Sequence, residues 1–490
     1  MKNILCFFFL VVLTLPAHAE VKIEYRVSRV HGLFNFVQAV TGQPHQSPGL
    51  KEIFEKSAYN KADLQNQIAL YKGLQKNLEN PVTVPTEYLI PGRYPARPVS
   101  DLILTQAVFA KDLADLSQRT LGLLPLKVHD QFFSILKKFE PAYKDLIWDK
   151  SSAELLKHKT ELEKLAAEVN LNAMFGKVAL FYRANWPEEL PFTVGLYPIP
   201  WIEGFKNSAN SHSVGTVEDH GVMMGMKKSD AIHSLAVIFH EICHSLYDSQ
   251  SAEYMKNLSS YFTESKSLYR DSAYKWFNEA VATSIGNGWV ETTLNKGVKN
   301  EFWYNDTTID GYAKQIYPLT VEYLTQGRSM DRNFVEQSIL NFGKKFPEAI
   351  YLYQDQFQHL TFIHGGSFIK SSEARDLFRS RFDISGYTGS SPIDHPQTIQ
   401  SATDDQGTLF VVFNTAELKS LEQLIAGVPF LKKNMLSLIT LKNRTYFSAL
   451  DEKARTYVVV RAESKQEFTA AVDRMKVVRK IDPQYPIQSF

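Results

Sequence analysis

The stretch from Ala231 to Tyr247 constrains this chain more than any other. Leu235, Ala236, Ile238, Phe239 and Ile242 recur at helical spacing, which predicts a helix with one face anchored in a core. Set into that helix is His240-Glu241-Ile242-Cys243-His244. Residues four apart on a helix lie about 40° apart around the axis and one turn along it. Both imidazoles can therefore reach one zinc ion, with Glu241 beside them to take a proton from a water that the metal activates. A fold built on such a helix must deliver a further ligand from elsewhere and leave one coordination position open.

Glu279 is the candidate for that ligand. It sits in Trp276-Phe277-Asn278-Glu279-Ala280-Val281-Ala282, where a lone carboxylate among apolar and small residues is costly unless paired or metal-bound. The small side chains of Ala280 and Ala282 favour close approach to the metal helix. Glu264 is nearer in sequence and is the rival. Its neighbours Thr263, Ser265 and Lys266 are polar, so a solvated face explains it more simply.

His240-Glu241-x-x-His244 followed by Asn278-Glu279-Ala280-x-Ala282 resembles the gluzincin branch of zinc metallopeptidases, which includes thermolysin and the large zinc aminopeptidases. The resemblance covers about residues 221–323. It implies that His240, His244 and Glu279 bind zinc and that Glu241 is the general base. It also implies an edge strand that pairs with the substrate backbone, for which Gly221–Met226 is in position. Gluzincins often supply a Tyr or His to hydrogen-bond the oxyanion; Tyr312 is the expected residue here, with Tyr317 second. Three departures stand beside these matches. Thr283 occupies the position where thermolysin-like enzymes carry a histidine-orienting Asp. The interval from His244 to Glu279 is longer, and the Gly-x-Met-Glu-Asn signature of the aminopeptidases is not evident.

Other candidates carry less. His233 lies two turns before His240 on nearly the same face. His212 and His220 flank the proposed edge strand. His364-Gly365-Gly366 reads as a turn, and Cys243 as a small hydrophobe packed behind the metal.

The rest of the chain sets the context. Lys2, the apolar run Ile4–Leu15 and Ala17-His18-Ala19 form a signal-peptide pattern over residues 1–19, which points to a periplasmic or secreted protein. Cleavage removes Lys2, so the 54 Lys+Arg and 53 Asp+Glu of the whole chain come into balance. Net charge then gives no reason to expect nucleic acid or an anionic membrane as partner. Cys6 leaves with the leader. Cys243 remains as the only cysteine, and an internal disulfide is excluded. No later run is long and apolar enough for a transmembrane anchor.

The expected fold class is α+β, predominantly helical. The expected organisation is a helical N-terminal region (20–185), a gluzincin-like catalytic core (186–383), a linker (384–407) and a small α/β domain (408–490). Strands are expected at Phe192–Pro200, Thr408–Phe413, Thr456–Arg461 and near Met435–Leu441. The expected function is zinc-dependent hydrolysis of a peptide or protein substrate. The alternatives are a non-catalytic periplasmic binding or assembly protein that retains a zinc site, and a zinc amidase acting on cell-wall peptides.

Overall fold

A computed structural model describes residues 21–490 apart from 45, 83–96, 188, 206, 226–230, 299, 385 and 405–406. The signal-peptide segment, most of the Pro-rich stretch 80–98 and the Ser229-Asp230 helix cap lie outside the described residues. The chain divides into two compact units, Met1–Lys256 with Asn278–Met330, and Asn257–Phe277 with Asp331–Phe490. The architecture is α+β and predominantly helical, as expected.

The first unit is built on one four-stranded sheet. Its elements are β1 (Ile23–Val27), α1 (Arg29–Thr41), α2 (Leu126–Tyr143), α3 (Asp149–Glu168), β2 (Phe192–Pro200), β3 (Ser211–Val214), β4 (Val217–Met224), α4 (Ala231–Asp248), the end of α5 (Arg270–Thr283) and α6 (Thr307–Thr325). The strand order is β1-β2-β4-β3. β1, β2 and β4 run parallel, and β3 closes the edge antiparallel to β4. Eight of the nine residues of β2 are buried, as befits a parallel strand covered on both faces. β1 pairs with β2 from Ile23–Phe192 to Val27–Leu196. This corrects the expected boundary at 185: the N-terminal residues supply a strand to the sheet that carries the metal helix.

α1 shows how local chemistry and packing agree. Ser28 accepts a hydrogen bond from the His31 amide as N-cap, and Gly42 ends the helix in the left-handed conformation at φ 78°. Phe34 and Phe36 then enter an aromatic core with Phe54, Phe132, Phe139 and Tyr143.

The second unit holds α7 (Arg332–Lys345), β5 (His359–His364), α8 (Ser371–Arg381), β6 (Gly386–Ser390), α9 (Pro396–Asp404), β7 (Thr408–Phe413), α10 (Leu418–Gly427), β8 (Thr445–Leu450), β9 (Thr456–Arg461), α11 (Lys465–Val478) and β10 (Ile487–Ser489). Its sheet has the order β10-β8-β9-β7-β5-β6. Alternate residues of β7 and β9 feed two cores: Phe410, Val412, Val458 and Val460 on one face, Leu409, Val411, Phe413 and Val459 on the other. The segment 384–407, read as a linker, contains β6, which pairs in parallel with β5, and α9. Its polar composition reflects an edge strand and an exposed helix. The strand expected near Met435–Leu441 is instead a short helix, Met435–Ile439, and the strand lies at Thr445–Leu450. An apolar run this short fits either state.

Candidate metal centre and cleft

α4 presents His240 and His244 one turn apart, and the Nε2 atoms of the two rings lie 3.0 Å from each other. Glu279, on α5, reaches the same point: Oε2 is 3.5 Å from His240 Nε2, and Oε1 is 3.4 Å from His244 Nε2. Four ligands about 2.0–2.1 Å from a tetrahedral zinc stand about 3.3 Å apart. The three observed separations bracket that spacing, so these side chains could hold one metal ion. Glu264 is elsewhere. Its carboxylate takes a 2.6 Å ion pair from Arg332 in an exposed setting in the second unit, as a solvated face requires.

The ligand helices meet through a glycine. α5 continues into a π-helical turn, Ser284–Val290, and Gly286 in that turn lies against α4. A Cβ there would stand 2.5 Å from the Ala236 carbonyl oxygen and 2.7 Å from the His240 nitrogen. Close approach was expected from Ala280 and Ala282, and these two are fully buried. The residue with no room for a side chain is Gly286.

Two side chains support the imidazoles from behind. Asn278 Nδ2 is 3.1 Å from His244 Nδ1, and the Asn278 Oδ1 has no hydrogen-bond partner. Turning this amide over lets Oδ1 accept from Nδ1–H and leaves the Nε2 lone pair for a metal. Thr283 Oγ1 is 3.5 Å from His240 Nδ1. This is a weak contact, at the position where the resemblance led to an expected Asp.

Electrostatics separate the two carboxylates. Burial pushes Glu241 up to about 8, helped by the nearby Glu218 and Glu279 charges and opposed by His244 and the Ser213 amide. Burial acts on Glu279 in the same sense but is outweighed by His240, His244 and Tyr304, which hold it at about 2. One carboxylate is thus disposed to carry a proton and the other to stay charged.

Tyr312, expected at the site, is fully buried and does not line the cleft beside the histidines. The cause is the helix start. Asp306 caps α6 by accepting from the Thr308 and Ile309 amides, so Tyr312 falls in the second turn, on the core face. Tyr317 packs its ring edge-on against Trp303. The tyrosine at the site is Tyr304, in the loop before that cap. Its hydroxyl donates to Glu279 Oε2 at 3.2 Å, and its ring stacks on His240 at 5.8 Å. The short Asp306-Thr307 cap signal marked where α6 begins and could have redirected the choice.

The cleft has a volume of about 930 Å³, and His240, Glu241 and Tyr304 line one wall. β3 runs along it. The Gly221 amide bonds the Asn210 carbonyl, and the register pairs Ser211 with His220, His212 with Asp219 and Ser213 with Glu218. Hydrogen-bonded and non-bonded pairs alternate in an antiparallel ladder, so the main-chain groups of Ser211 and Ser213 point away from β4. Gly221–Met224, the described part of the expected edge, pairs with β2 on one side; Ser211–Val214 covers only Val217–His220 on the other, and is the outermost strand beside the cleft.

The remaining candidates divide. His212 and His233 line the cleft. His220 is buried 2.9 Å from Glu218. Cys243 is fully buried, and that burial pushes its thiol up. His364 belongs to the second unit. No helix among the described residues is long and apolar enough to cross a membrane. Compared with known protein families, curated proteins and solved structures, the chain matches none.

Proposed function

We propose that this chain is a gluzincin-like zinc peptidase, acting in the periplasm or outside the cell if residues 1–19 are cleaved as a leader. The observation that carries this reading is the convergence of the His240 and His244 Nε2 atoms and the Glu279 carboxylate at 3.0–3.5 Å, beside Glu241 in an open cleft. Zinc held by these three side chains would supply a Lewis acid that polarises a peptide carbonyl and acidifies a water. Glu241 accepts the proton of the attacking water on its carboxylate and delivers it to the leaving amine nitrogen. Beside a zinc cation Glu241 would favour its ionised form, which the accepting half of that cycle requires. Asn278 and Thr283 fix the imidazole rings. The outward main-chain groups of Ser211 and the Ser213 carbonyl align an extended substrate by strand addition, while the Ser213 amide donates to Glu241. Tyr304, in place of Tyr312, would turn its hydroxyl from Glu279 to the carbonyl oxygen as charge develops on it.

The test is Glu241→Gln in purified full-length protein. Zinc content should be unchanged while hydrolysis of casein and unstructured peptides falls by about 10²–10⁴-fold. Unchanged proteolysis would remove Glu241 from the mechanism. Cleavage confined to peptidoglycan fragments would favour the cell-wall amidase instead.

A further inference from the structure

The lining of the cleft beyond the candidate metal ligands carries a distinct chemistry. Among the described residues that line the cleft there is no Lys and no Arg, while Glu79 and Asp101 both line it. The cationic groups that act on Asp101 are His212 first and Arg97 second, and the Arg97 guanidinium is engaged with Asp248 at 3.3 Å. Two amide side chains join these carboxylates. Gln46 lines the cleft, and its Oε1 is buried with no hydrogen-bond partner. Gln38 is only 8% exposed, and its Oε1 is occupied by the Tyr71 hydroxyl at 2.8 Å. Among the described residues no acceptor takes its Nε2, which is left to serve a ligand carbonyl. Behind this lining Asp219 is fixed by His31 at 2.6 Å and by Asn35 at 2.9 Å. The imidazole of His212 stands 3.7 Å from the other Asp219 oxygen. Two carboxylates, Glu79 and Asp101, thus line the cavity without a resident Lys or Arg, and the orphaned Gln46 oxygen lies buried behind its surface.

The edge strand says how a substrate meets them. Side chains of an extended peptide alternate between opposite faces. A peptide laid along the outer edge of β3 sends alternate side chains to the two sides of that strand, and His212 of β3 marks the side that meets Asp101. We propose that the cleft selects peptides with a cationic residue, lysine or arginine, beside the scissile bond on that side of the strand. This rests on the peptidase reading above. An ammonium or guanidinium there gains charge-assisted hydrogen bonds to the two carboxylates. A carboxylate there meets two like charges.

The experiment uses zinc-loaded Glu241→Gln protein and fluorescein-labelled octapeptides that differ only by Lys, norleucine or Glu at one central position. Fluorescence anisotropy reads the affinities. The Lys peptide should bind about tenfold or more tighter than the norleucine peptide, the fold-change expected of charge-assisted hydrogen bonds. Adding Asp101→Asn, or Glu79→Gln at the exposed end of the wall, should shrink that ratio at least threefold. Equal affinities, or a preference that survives both substitutions, overturn the inference. The wild type is then given the same peptides. Cleavage of all three at equal kcat/KM overturns the selectivity and leaves the peptidase reading standing. Preferential binding of the Lys peptide without cleavage supports the acidic wall and counts against the peptidase reading.

Discussion

Gly286→Ala tests whether the metal centre depends on the contact between its two ligand-bearing elements. The new methyl carbon would lie 2.5 Å from the Ala236 oxygen, 2.7 Å from the His240 nitrogen and 2.9 Å from the His240 Cα. Comfortable contact begins near ~3.5 Å, so the overlap is about 1 Å, and it is with backbone, which cannot rotate away. The elements must separate by a comparable amount. Glu279 lies in the same continuous run as Gly286, and His240 lies across the contact, so the 3.5 Å spacing between Glu279 and His240 must change. Metal sites tolerate roughly 0.2 Å of error. The variant should lose about 1–3 kcal/mol to overpacking, seen as a Tm several degrees lower, and bind zinc at least tenfold more weakly in chelator competition. Gly73→Ala is the matched control. It sits in the helix Ala62–Leu78 with no atom within 4 Å of a new Cβ, so it should gain up to about 1 kcal/mol with zinc affinity unchanged. Wild-type zinc affinity and Tm in Gly286→Ala would refute the argument.

Two further outcomes follow from named contacts. Tyr304→Phe should lower kcat by about 10²–10³-fold if its hydroxyl stabilises the oxyanion, whereas Tyr312→Phe should leave kcat within about twofold of wild type; the reverse order would restore Tyr312. Asp219 is ionised in the interior because His31, His212 and Asn35 together outweigh the opposing effect of burial and depress its pKa. Its contribution to stability is therefore complete above the ordinary carboxylate range and is lost as pH falls through the depressed folded value. Asp219→Asn should cost about 3–5 kcal/mol in urea unfolding at pH 7, with a smaller gap to wild type in strong acid. A gap that does not shrink in acid would contradict the ionic account.

The parts of this structure legible in the sequence are those set by local pattern. The period of Leu235, Ala236, Phe239 and Ile242 is enough to locate α4, and the spacing of His240 and His244 already places two imidazoles on one face. β2, β7 and β9 were equally plain, because buried β-branched and aromatic runs end at clear turn residues. What stayed hidden depends on distant pairing. Nothing near Ile23–Val27 announces that it joins Phe192–Pro200, so the N-terminal region looked like a separate helical domain. That Ser211–Val214 lies outside Val217–His220 is decided by how the hairpin folds against β2, not by either segment's own residues. Tyr312 enters the core for a local reason: the Asp306 cap starts α6 at Thr307, which puts Tyr312 on the buried face. Gly286 was overlooked because a glycine's importance lies in what crosses it.

The most direct test of the central claim is metal content. Purified wild-type protein, equilibrated with zinc and desalted, should carry one zinc per chain by plasma emission spectrometry. His240→Ala and Glu279→Ala should carry almost none, while Glu264→Ala should match the wild type. A wild type without bound zinc, or full zinc content in both His240→Ala and Glu279→Ala, would contradict the account.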